Sequence, residues 1–112
     1  MEPTLIAVAA APDGMVWRGH FGIAPTFFLY RPDGTFVEKR SNPYGAVAGE
    51  KHQHHDDPKR IINLLPDCRV FIARRMGDRS KQNLAKNFGI TPVITTENTP
   101  DAAIAHFLQT QS

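Results

Sequence analysis

The segment "TLIAVAA", residues 4–10, carries no charge and, after Thr4, no polar side chain. A strand with one wet face alternates apolar and polar residues. A run that is apolar at every position must be covered on both sides. This segment therefore calls for a sheet with packing on both faces and places itself near the middle. "CRVFIA", residues 68–73, is a second run of the same kind, interrupted only by Arg69. Cys68, its first residue, reads as a small core hydrophobe.

The remaining elements follow from local rules. "TFFLY" (26–30) and "TFVEKR" (35–40) are rich in aromatic and β-branched residues, and Arg31-Pro32-Asp33-Gly34 between them is a turn. Proline presets φ there and glycine closes the turn. The stretch 11–25 is rich in Gly and Pro and reads as a loop with a short strand at 15–17. Asp57 and Pro58 fit an N-cap and a first helical position, and Ile61, Ile62, Leu64 and Leu65 supply that helix's apolar face until Pro66. A second helix is expected over 79–88, capped by Asp78, with Leu84, Ala85 and Phe88 inward and Gly89 ending it. "ITPVITT" (90–96) is a strand. Thr99-Pro100 repeats the cap-and-proline device for a last helix bearing Ala103, Ile104, Phe107 and Leu108.

The order is strand, hairpin, then helix–strand–helix–strand–helix. Right-handed crossovers set the later strands parallel to the first, and the hairpin adds antiparallel strands on the other side. The expected fold is an α/β, ribonuclease H-like, mixed five-stranded sheet flanked by helices, in one domain over 1–112. In such sheets, ligands gather beyond the carboxyl ends of the parallel strands. Loops 11–25, 74–78 and 96–99 should meet there, with loop 41–55 able to close over them.

Several chemistries lack their residues. A two-metal nuclease needs clustered carboxylates. Residues 4–10 and 68–73 contain none, and Glu38 stands alone in this reading. No Gly-x-Ser-x-Gly elbow and no Gly-x-x-x-x-Gly-Lys phosphate loop is present. One cysteine excludes a four-cysteine cage and an internal disulfide. A net charge of +2 makes no case for nucleic acid, and no segment approaches a membrane span or a signal peptide. The expectation is a cytoplasmic domain.

Loop histidines and cations remain. In "WRGHFG" (17–22), His20 lies near two glycines, Gly19 and Gly22, that permit close backbone approach, and Arg18 adds a fixed positive charge. His20 is either a ligand or an ordinary loop histidine. In "RRMG" (74–77), Arg74 and Arg75 leave a strand and Gly77 precedes a helix whose N-terminus favours anions. The arginines are a binding rim or a solvated edge, and Met76 is a thioether ligand or core packing. "KHQHHDD" (51–57) offers His52, His54 and His55 beside Asp56 and Asp57. The aspartates are accounted for by helix capping. The histidines are outer metal ligands on a flap or a wet loop.

The motifs "HFGIAPTFFLY", "NPYG", "LLPDCRVFIARRMG", "LAKNFGI" and "NTPDAAIAHFL" occur in an order and spacing that resembles the dinitrogenase iron–molybdenum cofactor biosynthesis family, of the NifX and NafY type, also found as the C-terminal part of NifB. The resemblance spans residues 5–108. It implies the ribonuclease H-like fold, a role as carrier or chaperone for iron–sulfur or iron–molybdenum–sulfur clusters, and His20 as the ligand-associated histidine. Such clusters are anionic and sulfide-rich, and a carrier must release them, so one imidazole with a positive rim suits the task. The expected function is non-enzymatic binding of an iron–molybdenum cofactor or related cluster. His20, Arg18, Gly19, Gly22, Arg74, Arg75, Met76 and Gly77 form the site, and His20, His52, His54 and His55 are the metal ligands. Nitrogenase-maturation or other cluster donor and acceptor proteins are the expected partners. The alternative is a sensor for a small anion or nucleotide using the same rim, and a nuclease is disfavoured.

Overall fold

A computed structural model of the protein describes residues 4–43 and 58–110. Strand β1, Leu5–Ala10, is buried at every position. Its side chains alternate between layers. Leu5, Ala7 and Ala9 join one core cluster, whereas Ile6 and Val8 join the other. Period-two geometry thus splits one apolar run between two cores, as a central strand requires.

The hairpin strands are β2, Thr26–Tyr30, and β3, Phe36–Ser41. Arg31 N–H donates to Thr35 O at 2.8 Å, and Gly34 closes the turn at φ 95°, where a glycine has no steric cost. After them come α1, Pro58–Leu64, and β4, Cys68–Ala73. The chain continues with α2, Asp78–Asn87, β5, Thr91–Ile94, and α3, Pro100–Thr110. The sheet order is β3-β2-β1-β4-β5, with the hairpin antiparallel and β4 and β5 parallel to β1. This is the expected mixed five-stranded sheet flanked by helices. Residues of α1 and α2 pack with Phe21, Phe27 and Phe71 on one face, and α3 packs with Val8, Tyr30 and Ile72 on the other. No helix among the described residues is long and apolar enough to cross a membrane.

Some local expectations change. Residues 15–17 form no strand, only a single antiparallel bridge between Ala10 and Val16. Helix α2 starts one residue early, with Gly77 at the N-cap and no side-chain capping bond, so Asp78 lies in the first turn. Leu84 is buried, but Ala85 is exposed, because this short helix turns only a narrow stripe inward. Strand β5 is shorter than the apolar run that suggested it. Pro58 opens α1 as expected, whereas Asp57 lies outside the described residues. Thr99 caps α3 through its Oγ1, which accepts from Ala102 N–H at 3.2 Å.

Glu38 is not alone. It pairs with Arg40, which also donates to Asp67 Oδ1 at 3.1 Å and to Leu64 O at 2.9 Å. Arg40 thus ties the hairpin to the end of α1. Its hydrogen bonds hold the Asp67 carboxyl below the usual carboxylate range. A bond from Thr35 does the same for the exposed Asp33. A depressed folded-state value means that the ionised group stabilises the fold above its unfolded pKa, near 4, and that this contribution disappears as pH falls through the folded value. The urea midpoint is therefore expected to drop on acidification from about pH 6 to about pH 3, and Asp67→Asn should flatten that slope. An unaltered slope in the variant would remove Arg40–Asp67 from the account.

Candidate functional site

The loop after β1 is folded back onto the sheet by main-chain hydrogen bonds. Ala11 N–H donates to Met15 O at 2.8 Å, Val16 N–H to Asn98 O at 2.8 Å, and Trp17 N–H to Ala9 O at 3.0 Å. Farther along, His20 bridges Arg75 in parallel fashion, and Phe21 N–H donates to Arg75 O at 3.0 Å. A single 3-10 turn, Phe21–Ile23, follows. The Phe21 ring stacks on Phe71 with centroids 4.5 Å apart and lies 4.9 Å from Phe27. The loop is thus fixed from both sides, with His20 itself exposed at the carboxyl end of the sheet.

His20, Arg74, Arg75, Met76, Lys81 and Ile94 line an open hollow of about 380 Å³. Its lining holds three permanent cations and no carboxylate, although Lys81 also pairs with Asp78 at 3.7 Å. An imidazole with cationic neighbours and a thioether-bearing wall favours an anion with soft ligand atoms. Met76 packs against the core, as one of its two readings had it, and also lines the hollow.

The arginines do not form one continuous rim. Arg74 turns toward the β5–α3 connection, where its Nη2 donates to Glu97 O at 2.9 Å and to Asn98 Oδ1 at 3.1 Å. A second hollow, of about 410 Å³, lies on that side. Ala11, Met15, Val16 and Trp17 form its apolar wall, and Asp13, Arg18, Arg74 and Asn98 its polar part. Arg18 therefore faces the second hollow, and Arg74 contributes to both.

The glycines serve the backbone more than the ligand. A Cβ on Gly19 would meet Trp17 Nε1 at 2.8 Å, so glycine here lets the loop close over the indole. Gly77 caps α2 in an extended conformation open to any residue, and the Gly22 carbonyl accepts from Asn42 Nδ2 at 3.1 Å. His52, His54 and His55 lie outside the described residues. Cys68 is fully buried at the start of β4, the opposite end of that strand from Arg74. Burial, with Asp67 nearby, pushes its thiol up to about 12, so it stays protonated at neutral pH. Among the described residues no group of three or more His, Cys, Asp or Glu is gathered for a metal ion.

Sequence reasoning missed Lys81, Asn98 and Asp13. Lys81 was recoverable, since it closes the first turn of α2, where its N–H donates to Gly77 O at 2.9 Å, next to the loop that precedes the helix. Asn98 and Asp13 line one hollow with Arg18 only through the fold.

Two solved structures share this architecture. An NMR structure from Thermotoga, described as a candidate NifB protein of the DUF35 family, superposes with a TM-score of 0.68 at 22% identity, covering 95% of this chain and 88% of that one. The crystal structure of the protein PH0822 gives a TM-score of 0.69 at 18% identity, covering 96% and 92%. At these identities the likeness speaks for the fold. Residues 4–110 match the family model described as dinitrogenase iron-molybdenum cofactor, and the chain belongs to that family. A curated relative, Protein NifY of Klebsiella pneumoniae, is 28% identical over 88 residues. The match takes in 76% of this chain and 36% of that protein, so the chain spans about a third of the relative's length. The role is thus one connected with the dinitrogenase iron–molybdenum cofactor.

Proposed function

We propose that this protein is a non-enzymatic carrier that holds an anionic iron–molybdenum–sulfur or related iron–sulfur cluster at the His20 hollow and passes it to an acceptor in cofactor assembly. The observation that supports this most is the meeting of His20 with Arg74, Arg75 and Lys81 at one sheet end. The imidazole supplies one metal–nitrogen bond. The guanidinium and ammonium groups attract the cluster's charge and hydrogen-bond its sulfides or oxygens without forming metal bonds. An open hollow with one direct ligand grips weakly enough for transfer. The rigid loop keeps His20 in place, so little ordering is lost on loading.

The test is anaerobic addition of an iron–molybdenum–sulfur cluster or thiomolybdate to the whole chain. After free cluster is removed by desalting, charge-transfer absorption should stay with the protein and should be lost from it in His20→Ala, and the cluster should bind about tenfold more weakly in Arg75→Gln, the loss expected for one charge-assisted contact. Added salt should weaken binding as well. Full absorption in His20→Ala would overturn the reading.

A further inference from the structure

The geometry points to a second binding site, in the hollow between Arg18 and Asn98, for a small organic monocarboxylate with an apolar body. This site adjoins the His20 hollow and shares Arg74 with it, but it rests on its own lining and not on cluster binding. Its volume of about 410 Å³ falls in the range of small-molecule sites. One donor on a residue lining it, Arg74 Nε, is buried and has no acceptor among the described residues. A buried donor without an acceptor is costly, so an acceptor supplied by a ligand would be well rewarded. Arg74 is pre-set for this. Its Nη2 is held by Glu97 O and Asn98 Oδ1, which fixes the guanidinium plane and leaves Nε for another partner.

Charge selects among anions. Arg18 and Arg74 contribute two positive charges. Asp13 contributes one negative, its Oδ1 accepting from Met15 N–H at 3.0 Å. The net charge of +1 suits a monoanion and disfavours a phosphate dianion. The other wall is apolar, and Met15 is 40% exposed there, a large side chain left partly uncovered beside the cations. A carboxylate oxygen toward Arg18 and Arg74, with a short carbon skeleton over Met15 and Val16, satisfies both halves of the lining.

Trp17 is the chain's only tryptophan and lines this hollow, so its emission can follow binding there. Titrating 4-methylpentanoate into the metal-free whole chain should shift that emission saturably, with half-saturation at around 1 mM, ordinary for a ligand of this size. The Arg74 Nε–H resonance should move along the same curve. Arg18 is exposed, so Arg18→Gln should fold normally and bind about tenfold more weakly. Inorganic phosphate should bind more weakly than the carboxylate. Neither signal saturating by about 10 mM, equal affinity in Arg18→Gln, or phosphate binding as well as the carboxylate would each overturn the proposal. Since no cluster is present, these outcomes leave the His20 reading to its own test.

Discussion

Phe71→Ala is expected to destabilise the protein by about 3–5 kcal/mol, the usual cost of deleting a buried phenylalanine ring. Phe71 is 1% exposed, belongs to the interior strand β4, and is stacked on Phe21 at 4.5 Å. Its removal leaves a cavity that the sheet is too rigid to close. It also takes the floor from under Phe21, the residue directly after His20. The melting temperature should fall by about 20 °C, given a shift of several degrees per kcal/mol in a domain of this size. Circular dichroism during heating would measure it. A loss under about 1 kcal/mol would contradict the stacking described. In the variant the His20 loop should also exchange its amide hydrogens faster, beginning with Phe21 N–H, now bonded to Arg75 O.

Asn42→Leu should have the next largest effect, about 2–4 kcal/mol, as one buried and one part-buried acceptor lose their donor. Asn42 is 7% exposed, and its Nδ2 donates to Gly22 O at 3.1 Å and to Ala24 O at 2.7 Å. Leucine fills the space and donates nothing. Asn42→Asp is the sharper comparison. A carboxylate facing two carbonyl oxygens repels both, whereas the protonated acid can still donate to one. Asp should therefore be worse than Leu at pH 7 and recover partly below about pH 4. Urea unfolding of both variants at the two pH values tests this. Equal stability of Asp and Leu at pH 7 would mean that the amide is not the donor. The backbone bond from Asn42 N–H to Pro25 O stays in every variant, so the comparison isolates the side chain.

Both predictions concern residues that hold the His20 loop without touching the hollow. Neither was readable as such. Asn42 opens the "NPYG" motif, which gives it no structural role by itself, and its two acceptors lie far back along the chain. Phe71 announced itself as core, but nothing local tied it to Phe21. Glu38 and Arg40 were a readable case left unread. Residues two apart on a strand share a face, and the pair does meet. Ala85 went the other way, placed inward by helical spacing although the helix buries a narrower stripe than the pattern allows.

The sequence by itself determined the elements, their order and the buried nature of β1 and β4, because these follow from rules acting within a few residues: side-chain periodicity, the fixed φ of proline, the freedom of glycine, and hydroxyl caps. It also placed His20, Arg74 and Arg75 at the carboxyl ends of the strands, since crossover handedness leaves few topologies. Only the tertiary structure decided which cations share a hollow. Arg18 and Arg75 flank Arg74 on different sides because the loop after β1 is bonded to Asn98 at one point and to Arg75 at another. Such pairings join segments distant in the chain, and their geometry depends on how the layers pack, which no local pattern encodes.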